Sequence, residues 1–262
     1  MPILKTTFVA MIAALLGLAA PTHAVQAQTA PKAANLSVDS LVRYFDAVVF
    51  DPQPASTKPA STKPAGAVIV KWPQDVITLS LEEPNAKIDP ATLKNFLAMV
   101  KTHVAEISQL TGKKFKGVKT ASDADIRTFF VRRADMAKIY GPEIDPKAVQ
   151  AGAATGECYS IRWRKVASDL FKTIIVVNVD LDPAMVNSCL LKELVQSMGL
   201  PRDSDAMRPS IFSKGDHLTQ LAPQDQVLLR TLYDPRMKAG LPRAQALKLA
   251  PTIISAMGKP IK

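Results

Sequence analysis

The chain is 262 residues long and 47% hydrophobic, with a formal net charge of +10 at pH 7 and two cysteines. Beyond the N-terminus no stretch approaches the roughly 20 apolar residues that a spanning helix needs, which excludes a transmembrane helix in the mature protein. A basic chain of this kind is drawn to anionic partners such as lipid head groups or acidic polymers. Nucleic acid is not expected as a partner, because no aromatic-interleaved basic motif stands out.

Lys5 and the apolar run Phe8–Ala20 read as a secretory signal, with small-residue cleavage sites ending at Ala24 or Ala27. Residues 1–27 are therefore assigned as a signal peptide and the protein as exported, periplasmic or secreted. Losing Lys5 lowers the formal charge to +9. Residues 28–66 form an N-terminal arm. Within it, Leu36–Phe50 places apolar residues at helical spacing behind Ser37 or Asp39 as a cap. The exact repeat PASTK, at Pro54–Lys58 and again at Pro59–Lys63, marks an extended, proline-rich linker.

One globular domain is expected over residues 67–262. Val68–Trp72 and Val76–Leu81 are rich in β-branched residues and read as strands interrupted by Pro73. Asp89-Pro90 opens a helix whose apolar stripe runs from Leu93 to Leu110 until Gly112 stops it. His103 in that helix reads as a surface or flanking residue. Asp125–Val131 and Tyr159–Arg164 read as further strands, separated by a loop with a short helix. Lys172–Val179 is the most apolar strand and is placed at the sheet centre. Asp182-Pro183 then caps a central helix from about Ala184 to Met198. Strands and helices in this loose alternation give an α+β layered domain. Cys158 and Cys189, an even pair in an exported chain, are expected to form a disulfide worth roughly 3–4 kcal/mol.

The stretch Cys189–Asp203, CLLKELVQSMGLPRD, combines apolar residues at helical spacing with Glu193, a terminating Gly199 and a polar turn. Downstream come Pro209-Ser210-Ile211-Phe212 and then LAPQDQVLLRTLYD from Leu221 to Asp234. Together these resemble the metzincin class of zinc peptidases. There a His-Glu-x-x-His-x-x-Gly-x-x-His/Asp helix and bend are followed by a methionine turn and a helix with an acid near its start. The resemblance puts Phe212 at the turn methionine, Asp225 at the helix-opening acid and Leu232-Tyr233 at the helix close. It puts Lys192, Gln196 and Arg202 at the three metal-ligand positions, leaving only Glu193 and Gly199 in agreement. Two cations and a carboxamide do not hold a zinc ion, so no metal and no cofactor are expected. The block from Lys192 to Gly240 resembles more closely a domain-of-unknown-function family of exported bacterial proteins in which a Glu-x-x-Gln helix replaces the histidine motif. The implied fold is α+β and zincin/metzincin-like: a twisted mixed sheet packed on a long helix and on a central former active-site helix.

Glu193 is the candidate catalytic residue, since the resemblance makes it the general base of an active relative. Without a metal a carboxylate alone does not usefully activate water. Its other roles would be a salt bridge to Lys192, Arg202 or another cation, or a ligand contact in a vestigial cleft. Lys192, Gln196, Arg202 and Asp203 are the ligand-binding candidates. A Cys158–Cys189 bridge on the same arc of the helix would crowd the old metal position and favour a structural plug. Asp180, Asp182, Asp203 and Asp205 read as cap or turn carboxylates rather than calcium ligands. Ser197 and Ser210 lack a His/Asp partner set, so a serine triad is not expected. The resulting reading is a non-catalytic exported domain that binds a peptide or an anionic cell-envelope component. The alternative is an atypical hydrolase built on Glu193.

Overall fold

The computed structural model describes residues 36–50, 67–83, 88–119, 121–139, 141 and 144–257. The expected signal peptide and both PASTK repeats lie outside these residues. The described chain runs α1 (Val38–Val49), β1 (Val76–Glu82), α2 (Pro90–Thr111), β2 (Lys114–Gly117), β3 (Ile126–Val131), α3 (Pro146–Ala154), β4 (Cys158–Val166), β5 (Asp169–Asn178), α4 (Pro183–Gln196), α5 (Pro223–Tyr233) and α6 (Arg243–Met257). Five strands form one mixed α+β sheet in the order β2-β1-β3-β5-β4. All neighbours are parallel except β4, which is antiparallel to β5 and forms one edge.

Local chemistry sets the two helices that matter most. The Asp89 carboxylate accepts from the Ala91 and Thr92 amides, proline follows at the first helical position, and Gly112 ends α2 at φ 72°. Asp182 does the same for α4, accepting from the Ala184 and Met185 amides at 2.9 and 3.0 Å. Strand β5 has five consecutive fully buried residues, Thr173 to Val177, because helices cover both faces of the sheet. One face carries the main core with α1, α2, α4, α5 and α6; the other carries a smaller core under α3 with Phe129, Met136, Tyr159 and Val176. No helix among the described residues is long and apolar enough to cross a membrane.

Several expectations need correction. Val68–Trp72 is not a strand: it makes only isolated bridges, Val68 with Pro242 and Lys71 with Asp169. Trp72 is instead buried as an anchor, donating from Nε1 to the Ser197 carbonyl at 2.9 Å. Strand β5 is interior, but the middle of the sheet belongs to β3. His103 is not on the surface. It is 2% exposed and its Nε2 lies 2.6 Å from Asn187 Oδ1, joining α2 to α4, and burial pushes its pKa down. Helix α1 precedes the domain start expected at Ala67, yet Tyr44, Phe45 and Val48 are fully buried in the main core.

Candidate functional site

Helix α4 ends in a bend that is fixed from three sides. Gly199 has φ 106°, and a Cβ there would overlap the Val70 carbonyl oxygen, so only glycine fits. Trp72 holds the Ser197 carbonyl, and the Tyr233 hydroxyl donates to the Met198 carbonyl at 2.9 Å. Past the bend, the Arg202 amide donates to the Val48 carbonyl at 3.3 Å and its guanidinium to the Phe50 carbonyl at 3.2 Å. Arg202 is thereby spent on closing the end of α1.

Asp203 then turns back to α4. Its carboxylate lies 2.9 Å from Lys192 Nζ and accepts from Gln196 Nε2 at 2.8 Å. These are two of the positions that the resemblance assigns to metal ligands, and one acid now ties both down. The third position, Arg202, carries a permanent charge committed to backbone carbonyls. This donor set does not fit a zinc ion.

Above this cluster lies a cleft of about 770 Å³. Its walls are β4 from Cys158 to Arg162, residues Ser188, Lys192 and Glu193 of α4, the 201–203 bend, and the 211–217 loop with His217. The Cys158–Cys189 disulfide is formed, with Cα atoms 5.9 Å apart, and joins β4 to α4. Both cysteines are among the residues that line the cleft.

Glu193 forms the floor. It is 6% exposed, and its Oε2 has no hydrogen-bond partner among the described residues. Burial raises its pKa above the usual carboxylate value, opposed by the Ser160 hydroxyl and by the charges of Arg162 and Lys192. Ser160 in turn accepts from Arg162 Nη1 at 2.9 Å, and Arg162 Nη2 reaches the Pro201 carbonyl at 3.5 Å. Among the described residues Glu193 makes no salt bridge to Lys192 or Arg202, and the cation acting on it most strongly is Arg162. Adjacent positions on a helix do not share a face, so Lys192 points to Asp203 while Glu193 points under β4. Sequence reading missed Ser160 and Arg162. Their spacing on a strand puts them on one face, but only the antiparallel edge places that face over α4.

Beneath the cleft, the turn at residues 209–213 is held by a second buried acid. Asp225, fully buried, accepts from Ser210 Oγ (2.7 Å), the Ile211 amide (3.1 Å), Tyr44 OH (3.2 Å) and the Ala222 amide (3.3 Å). Tyr44 and Ser210 also hydrogen-bond directly to each other. Ser210 therefore has a carboxylate partner but no histidine, and Ser197 Oγ is used by the Leu194 carbonyl at 2.6 Å. Neither is set up as a nucleophile.

A family model described as "Protein of unknown function (DUF2927)" matches residues 38–252. No curated protein matches the chain. Among solved structures, the structure of Myroilysin is similar over 85% of this chain and 98% of that chain, at 14% identity and a TM-score of 0.34.

Proposed function

The chain belongs to the DUF2927 family of proteins of unknown function, and we propose that it is a non-catalytic exported binding protein with a degenerate metzincin-like core. Its cleft takes a peptide segment laid between β4 and the bend after α4. Export is supported by the disulfide, a bond that persists in oxidising compartments. The degenerate core is supported by Glu193 and Gly199 in register, by the 209–213 turn under the cleft, and by Asp225 near the start of α5. The observation that carries the function is the floor of the cleft. A buried carboxyl there keeps one oxygen unused, while every side chain that would have held a metal is committed elsewhere. Turned toward the cleft as a ligand enters, this unmet acceptor recognises a donor, such as a peptide N–H or a donor-bearing side chain.

The test is calorimetric titration of the mature chain with unstructured peptides, followed by mass spectrometry of the recovered peptides. Saturable binding with every peptide intact supports the reading. The alternative, an atypical hydrolase, has its own support: burial moves Glu193 toward the range where a carboxyl can exchange protons near neutral pH. Peptide cleavage that disappears in Glu193→Gln would replace the first reading with the second.

A further inference from the structure

We propose that the β4–β5 hairpin is a docking element for an anionic phospholipid surface. Three large apolar side chains stand well exposed among the described residues, and two of them are on this hairpin: Val166 at 55% and Phe171 at 43%. The strands close at the pair Val166–Asp169, so both side chains lie within a few residues of the tip. Register shifts between Trp163 and Val166 break the regular alternation there, a feature that commonly re-aims side chains at a sheet edge.

The charge around them has one dominant sign. Nearest the tip, the segment RKVASDLFK, residues 164–172, holds Arg164, Lys165 and Lys172 against the single acid Asp169, while Arg162 belongs to the cleft. Asp169 is partly used within the tip, accepting from Ser168 Oγ at 2.7 Å. Arg162, Arg164 and Lys172 make interactions of their own, whereas Lys165 is exposed beside Val166. An apolar pair set among cations suits the boundary of an anionic bilayer: the apolar groups enter the acyl edge and the ammonium meets phosphate. A nucleic acid or soluble polyanion would use the cations and leave Val166 and Phe171 idle.

The tip is also held rigid by a third segment. The Lys71 amide donates to the Ser168 carbonyl and the Leu170 amide to the Lys71 carbonyl, both at 3.1 Å. A rigid element loses little entropy on docking. The cleft wall on β4 ends at Arg162 and the tip lies at Val166, so at ~3.3 Å per residue the edge of the cleft would sit roughly 13 Å from the lipid. The docking proposal stands whether or not the cleft binds peptide.

The test is co-sedimentation of the mature chain with vesicles of phosphatidylglycerol and phosphatidylcholine in equal parts, compared with phosphatidylcholine alone. Binding should require the anionic lipid and weaken with salt. Phe171→Ser and, separately, Val166→Ser should each reduce partitioning by about tenfold, and Lys165→Ser by about fivefold. Melting temperatures equal to that of the parent chain show that the variants fold; having two apolar variants keeps the test alive if one does not. Absence of binding to anionic vesicles overturns the proposal. So does binding that depends on Lys165 but is indifferent to both apolar substitutions, with DNA competing at matched ionic strength, since that marks a general polyanion site.

Discussion

Two carboxyl groups are buried close to the same turn, and they have been treated in opposite ways. Asp225 is wrapped by two hydroxyls and two amides. Glu193 lines the cleft, and one of its oxygens, itself buried, has no partner among the described residues. Burial raises the pKa of both. Desolvation is therefore common to the pair, and hydrogen-bond completeness separates them. An acid that gathers donors from α1, the 209–213 turn and the start of α5 fastens the scaffold together. An acid left incomplete in the wall of a cleft keeps an acceptor that the fold itself does not use.

The largest expected effect tests the first half of that contrast. Asp225→Ala strips the acceptor from four buried donors at once and should cost about 4 kcal/mol in denaturant unfolding. A loss below about 1 kcal/mol would mean that the wrapped acid is not the fastening. Next in size is the disulfide. Replacing Cys158 and Cys189 together by serine should lower stability by roughly 3–4 kcal/mol, and should loosen the β4 wall of the cleft as seen by amide exchange.

The third effect is a pH dependence. The Asp225 carboxyl is pushed up from 3.8 to about 6, chiefly by burial. At low pH it is protonated in both the folded and the unfolded chain. Between about pH 4 and 6 the folded chain keeps a proton that the unfolded chain has released, so stability falls as pH rises. The accumulated loss is about 3 kcal/mol once both states are ionised. Asp216 and Asp234 act in the opposite sense. Arg208 and Arg236 hold those carboxyls below the usual range, so their contribution is lost as pH falls. The difference between the parent chain and Asp225→Asn across this window isolates Asp225. Parallel stability curves for the two would refute the assignment.

The helices were legible in the sequence wherever capping chemistry is local. Asp89-Pro90 with Gly112, and Asp182-Pro183, set the bounds of α2 and α4 to within a residue or two. Edges and partners were harder. Strand β2 is four residues, Lys114–Gly117, mostly exposed, with too short an alternation to stand out. Helix α6 carries Pro251 in its interior, which hides its period. His103 reads as polar in sequence, and only the packing of α2 on α4 supplies Asn187 to satisfy it. At the site, Glu193, Lys192, Gln196 and Arg202 were all visible, because the helix frame is a contiguous pattern. That Asp203 binds two of them, and that Arg202 leaves the site for the end of α1, depends on a bend whose direction is set by the remote residues Val70, Trp72 and Tyr233. The basic–aromatic mixture of residues 162–172 was equally hidden. In sequence it is a strand and its successor, and it becomes one surface only when the hairpin closes.

The smallest stability effect is the one that tests the other half of the contrast. Glu193→Gln keeps the shape of the side chain and removes a carboxyl whose burial is opposed only in part by Ser160, Arg162 and Lys192. Stability at pH 7 should therefore stay level or rise, by about 1 kcal/mol at most, because few bonds are lost and desolvation is relieved. Peptide affinity should fall by about tenfold, because an acceptor that met the ligand is replaced by a group that presents an amide. The two readings of Glu193 part here. If it were a structural acid like Asp225, the substitution would destabilise the fold and leave affinity proportional to the folded fraction. A variant that melts with the parent chain yet binds weakly has lost a recognition group, and a variant that melts early has lost a fastening.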